Sequence, residues 1–113
     1  MVEYFLGLDL GQAQDFTALA VLEAKYQVRD DKWARTYACR HLSRWPLGTR
    51  YVQIAADMRD LLERPPQRLP PQDPPPLMGS VLTVDATGAG APVVEILREA
   101  RLPAVLQSVL ITK

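Results

Sequence analysis

The 113-residue chain contains one cysteine and one histidine. A lone thiol, Cys39, excludes an internal disulfide and any zinc cluster built on cysteines. A lone imidazole, His41, excludes sites that need several histidines, including the HExxH metalloproteases. Net charge is missing as well, since thirteen basic and thirteen acidic residues cancel. A broad basic footprint for nucleic acid is therefore absent, and any such role needs a local patch, a bridging metal or another domain. No apolar run approaches the roughly 20 residues that cross a bilayer, so no membrane partner is expected. The opening MVEYFLGLDLG carries no basic leader ahead of its apolar stretch. It reads as a buried strand rather than a signal peptide, which makes the cytoplasm the expected compartment. No Walker-type GxxxxGK[ST] segment occurs, and no repeat at a solenoid period is visible.

What is present fits one compact α/β domain over residues 1–113. Hydrophobic residues make up 48% and charged residues 23%, the balance of a globular chain. Residues 3–10 read as a strand, interrupted by turn-formers from Gly11 to Asp15. Residues 16–24 and 34–45 read as two more strands, with polar residues 26–33 as the hairpin connection between them. Thr49 is expected to cap a helix over Tyr51–Glu63, with Ile54, Met58, Leu61 and Leu62 on its apolar stripe and Val52 and Ala55 widening it. The helix should stop before Pro65. Residues 65–76 hold seven of the ten prolines and are expected to form an extended, solvent-facing crossover. A strand over Ser80–Ala86, a helix over Ala91–Ala100 with Pro92 in its first turn, and a strand over Ala104–Ile111 complete the chain. The expected order is β-β-β-α-β-α-β, a mixed sheet with helices packed against it and no terminal helix to cover its other side. Oligomerisation is one way to cover such a face.

Alternation gives the pattern chemical content. Phe5, Gly7 and Asp9 share one face of the first strand, and Val81, Thr83 and Asp85 share one face of the fourth. Each strand thus ends on an aspartate followed by a glycine-bearing loop. On parallel neighbours the two Cα atoms would lie about 5 Å apart, where paired carboxylates repel unless solvated, protonated or bridged by a cation. Mg²⁺ or Mn²⁺ suits such a pair, because hard ions prefer oxygen ligands and retain water. Strand C-termini are also where open α/β sheets bind ligands. Both aspartates could instead organise turns. Asp15 is a third candidate if its hairpin returns toward Asp9, and a solvent-exposed turn residue otherwise. Thr87, Gly88 and Gly90 could offer backbone amides to an anion or simply join strand to helix. Gln12 could touch a nucleic-acid backbone or be ordinary surface. Cys39 is expected in the core, and Trp33, Tyr37 and Trp45 as packing groups. Arg35, Arg40, Arg44 and Arg50 form the best available basic patch, divided between faces by alternation.

The segment GLDLGQAQDFTALAVLE, residues 7–23, resembles the start of the nuclease domain in large terminase subunits of tailed bacteriophages. LTVDATGAGAPVVEILREARLP, residues 82–103, is similar to that domain's second acidic motif and following helix. HLSRWPLGTRYVQIAADMRDLL, residues 41–62, resembles stretches of terminase-like phage and prophage proteins. The resemblance implies a ribonuclease H-like fold and cleavage of packaged double-stranded DNA with divalent metals, alongside other packaging components. It implies Asp9 and Asp85 as metal ligands and Asp15 as a further acid of the early motif. The family's additional aspartate beyond the fifth strand has no counterpart before Lys113, so an incomplete site is expected. Two other readings stand beside this one. A nuclease-fold remnant would bind without cutting. An actin-like ATPase or sugar kinase would use DLG and DATGAG as phosphate loops, yet those proteins place Thr or Ser soon after the first DxG, where this chain has Gln12, Ala13 and Gln14.

Overall fold

The computed structural model describes residues 1–12, 14–67 and 69–109. Its elements are β1 (Val2–Asp9), β2 (Ala18–Arg29), β3 (Lys32–Arg44), α1 (Tyr51–Glu63), β4 (Val81–Asp85), α2 (Ala91–Glu99) and β5 (Val105–Val109). The chain is a mixed α/β domain whose five strands lie in the order β3-β2-β1-β4-β5. Strand β2 runs antiparallel to β1 and β3, whereas β1, β4 and β5 are parallel. Leu110 and Ile111, expected in the last strand, lie outside the described residues. Among the described residues no helix is long and apolar enough to cross a membrane.

One face of this sheet is dry and the other is open. Tyr4, Leu6, Leu8 and Leu10 alternate onto the dry face, joined by Leu19 and Val21 of β2 and Leu82 and Val84 of β4. Both helices close that same cluster: α1 with Ile54, Met58 and Leu62, α2 with Val93, Val94 and Leu97. Each such fully buried aliphatic side chain contributes about 1.5–3 kcal/mol through removal from water. The opposite face carries Leu22, Tyr37, Leu42, Val105 and Val109, all exposed, along with Gly7 and Asp9. The fold is thus a two-layer sandwich of helices on sheet.

The structure departs from expectation in places, each with a local cause. Residues 26–33 are not a loop; β2 and β3 run on through them and turn only at Asp30 and Asp31. Those two adopt φ of 50° and 61°, the left-handed pair of a tight hairpin turn. Tyr26, Val28 and Trp33 supply the β-forming side chains that carry pairing to the tip. Thr49 does not cap α1. Its hydroxyl donates to the Pro46 carbonyl at 2.6 Å, and Arg50 occupies the cap position without a side-chain bond. Val52 is exposed because it lies off the stripe of Ile54, Ala55, Met58 and Leu62, while Tyr51 of the same turn packs against the core. The proline-rich crossover is anchored, since Leu69 and Leu77 are buried in the core cluster. Cys39, Trp33 and Tyr37 are exposed rather than packed, because they project from the face that no helix covers among the described residues.

Strand β3 also carries a bulge. Val21 opposes His41 and Leu22 opposes Cys39, which leaves Arg40 as the extra residue. A bulge turns neighbouring side chains to the same side. Arg40 therefore reaches the helix-covered face and donates to the buried Glu23 carboxylate at 2.8 Å. Tyr4 Oη donates to the same carboxylate at 2.9 Å, and Lys25 Nζ stands 3.6 Å away. The Arg40 hydrogen bond holds Glu23 below the usual carboxylate range despite burial, while burial and the Glu23 contact push the Tyr4 phenol up.

Candidate functional site

Asp9 and Asp85 are direct register partners on the adjacent parallel strands β1 and β4. Residues paired in this way point to the same face, here the open one, with Cα atoms about 4.8 Å apart. Backbone bonds continue the ladder just past them: Leu10 N–H donates to Asp85 O at 3.0 Å and Ala86 N–H to Val109 O at 3.0 Å. The two carboxylates therefore stand on rigid strand ends rather than on loops. Asp9 is exposed and Asp85 half-buried. The Thr87 hydroxyl and amide both donate to Asp85, the amide at 3.0 Å, and hold its carboxyl below the usual range. It is ionised at neutral pH.

The loop after β1 is tied down from three sides. Gly11 N–H donates to the buried Thr17 hydroxyl at 3.0 Å, and the Tyr51 phenol of α1 donates to Gly11 O at 2.6 Å. The Gln12 side-chain amide donates to Gly88 O, bridging this loop to the one after β4. Gly11 has no room for a side chain: a Cβ there would meet the Asp15 carbonyl, and would lie 2.6 Å from Phe16 backbone atoms. That close approach folds the loop back on itself. It brings Asp15 into the cleft of Asp9, a space of about 420 Å³ also lined by Gln12, Phe16, Thr87 and Gly88.

The sequence-derived residues thus divide. Asp9 and Asp85 come together directly, and Asp15 joins the cleft of Asp9. Among the described residues, however, no group of three or more His, Cys, Asp or Glu is arranged to hold a metal ion. The expected amide donors after β4 are largely spent: Thr87 N–H on Asp85, and Ala89 and Gly90 N–H on Ala86 O, each at 3.0 Å. Gln12 braces the loops. Glu95 pairs with Arg98 at 3.1 Å on exposed helix surface. The four arginines scatter, with Arg40 on Glu23, Arg35 stacked 4.7 Å from the Tyr26 ring, and Arg50 at the start of α1. Arg44 remains near the cleft, its guanidinium carbon 4.0 Å from the centroid of Phe16. Sequence reasoning did not find that stack, because it depends on the β3 bulge and on the folded-back Gly11 loop.

Fold and site together define a two-layer mixed α/β domain with a pair of carboxylates in register at the C-terminal ends of its central parallel strands, beside a cleft lined by Asp9 and Asp15. No family model matches the chain, and no curated protein matches it.

Proposed function

We propose that this chain is a terminase-like nuclease domain of the ribonuclease H-like class, and that its cleft supports metal-dependent hydrolysis of phosphodiesters in double-stranded DNA. The observation that carries the reading is the pairing of Asp9 with Asp85 across parallel strands. Two adjacent oxygen-donor groups, one held ionised by Thr87, suit a hard divalent ion that keeps most of its waters. Asp9 and Asp85 would hold Mg²⁺ or Mn²⁺. When bound, that ion supplies positive charge for activating water and for neutralising a leaving oxygen. Thr87 keeps Asp85 deprotonated and fixes its direction. Asp15, from the folded-back loop, stands in reach of the cleft as a further acid that orients water. The order of elements and the motifs around Asp9 and Asp85 support the family reading, in which other packaging components are partners.

A second reading draws on a specific observation. The described residues bring two carboxylates into register but assemble no cluster of three ligating groups. That favours a domain that binds metal and DNA as an assembly module without cutting. Calorimetric titration of the intact chain with Mg²⁺ and with Mn²⁺ tests the shared premise. One saturable site, lost in both Asp9→Asn and Asp85→Asn, is expected. Absence of binding in the wild type would remove the metal-dependent reading. Where binding holds, plasmid cleavage assays with wild type and Asp15→Asn divide the nuclease from the module.

A further inference from the structure

A single row of the register crosses the open face at the end where the acids stand. Asp85 opposes Asp9, Asp9 opposes Ala18, and Ala18 opposes Arg44. Directly opposed residues project to one side of a sheet. The row on that side therefore reads Asp85, Asp9, Ala18, Arg44. The small side chain of Ala18 leaves the space between acid and cation open. Arg44 lies two strand spacings from Asp9, about 10 Å. In the row behind it, Thr83, Gly7, Ala20 and Leu42, the two central residues behind Asp9 and Ala18 are small as well.

Arg44 differs from its neighbours in how it is held. Arg40, Arg59, Arg64 and Arg98 pair with carboxylates, and Arg35, although stacked on Tyr26, also donates to the Tyr37 hydroxyl at 3.0 Å. Among the described residues Arg44 is instead seated on an aromatic ring, that of Phe16. Stacking fixes the plane of a guanidinium while leaving its charge uncompensated and its edge N–H groups available for a bidentate oxyanion. Phe16 lines the same cleft as Asp9 and Asp15. The platform and Asp9 thus line one concavity, Arg44 stands on that platform, and Asp85 is the register partner of Asp9. Two acids alone repel a phosphate. A cation on the same face gives a phosphate a local point of attraction of its own in a chain with no net charge.

We infer that Arg44, seated on Phe16, is a phosphate-positioning residue: it grips one phosphate of a DNA strand and so sets a neighbouring phosphodiester over Asp9 and Asp85. This role rests on the proposed nuclease reading and fixes the path of the substrate strand, across β1 and β2 over Ala18 rather than along a strand. The bidentate fork supplies geometry as well as charge, which a lysine at the same place would supply only in part.

The experiment measures binding of a short fluorescent DNA duplex to the intact chain across a range of salt, once in EDTA and once with Ca²⁺ to hold the duplex uncut. Each phosphate contact contributes about −0.9 to the slope of log K against log salt. Arg44→Gln should make that slope shallower by about 0.9, while Arg44→Lys should retain the slope and bind more weakly. Phe16→Leu, which keeps the cation but removes its seat, should behave like the lysine variant. Mg²⁺ titration of Arg44→Gln without DNA should match the wild type, which separates this role from misfolding and from the carboxylate site. An unchanged slope and affinity in Arg44→Gln would overturn the inference, as would a wild type that binds no duplex in either condition. If the slope responds to Arg44 while the wild type binds no metal, the phosphate contact stands and the cation site falls.

Discussion

Removing the guanidinium that faces Glu23 gives the sharpest test of how the sheet is held together. Glu23 is only 4% exposed, and its carboxylate rests on Arg40 at 2.8 Å, Tyr4 at 2.9 Å and Lys25 at 3.6 Å. Breaking a fully buried ion pair costs about 3–5 kcal/mol, because one charge is left without its partner. Here Arg40 is 39% exposed and Lys25 remains nearby, so solvent and the second cation recover part of that loss. Arg40→Met should therefore destabilise the chain by about 1–3 kcal/mol at neutral pH. The sign of its pH dependence follows from Glu23. In the folded wild type the Arg40 bond holds this carboxyl below its ordinary 4.5. Its contribution is complete above that value and fades as pH falls through the lower folded-state value. In Arg40→Met, burial works with less opposition and pushes the carboxyl up relative to the wild type, so protonation relieves the variant first. The stability gap should be widest near neutrality and narrow as pH falls through the lowered wild-type value of Glu23. Urea unfolding at a series of pH values measures both quantities. A gap under about 0.5 kcal/mol, or one that stays constant with pH, would refute this account of the cluster.

Three further outcomes follow from the same geometry. Gly11→Ala places a Cβ against the backbone of Asp15 and Phe16. It should cost about 1–3 kcal/mol in thermal unfolding, as overpacking does, and a variant as stable as wild type would contradict the folded-back loop. Thr87→Val removes one donor to Asp85, so the Asp85 carboxyl should titrate at higher pH by NMR than in the wild type, and an unmoved titration would show that the hydroxyl is idle. The uncovered sheet face should self-associate in concentrated solution, and duplex DNA laid on that face should compete with the second copy; sedimentation showing a monodisperse monomer at all concentrations would remove the basis for this expectation.

Much of the architecture was legible because periodicity carries it. Leu6, Leu8 and Leu10 alternating with Phe5, Gly7 and Asp9 can satisfy only a strand with one dry face, and the same logic placed Asp85. The bounds of α1 were legible from its apolar stripe and from Pro65. The hairpin between the second and third strands was legible but its length was not, since Gln27, Arg29, Asp30, Asp31 and Lys32 look like a loop while Tyr26, Val28 and Trp33 carry the pairing to the tip. Polarity indicates exposure, and a hairpin reaching past its neighbours is exposed on both faces. Cys39 was misplaced for a related reason: alternation says which residues share a face but not which face the helices will cover. Of the site, the aspartates were visible as strand-terminal acids. The Phe16–Arg44 stack was hidden behind a bulge that no local pattern announces.

That bulge has a consequence for the life of the chain in a crowded solution. Strand β3 is thirteen residues long and forms one border of the sheet. An uninterrupted border of that length would accept another strand along its whole run and start an aggregate. The irregularity at Arg40 breaks the spacing of its outward donors and acceptors midway, so a regular incoming strand finds no continuous match. Lys32, Arg35, Arg40 and Arg44 are distributed along the same border, and a second copy laid antiparallel would bring cation against cation. The kink that sends Arg40 inward to Glu23 thus also blunts the border against fibre growth.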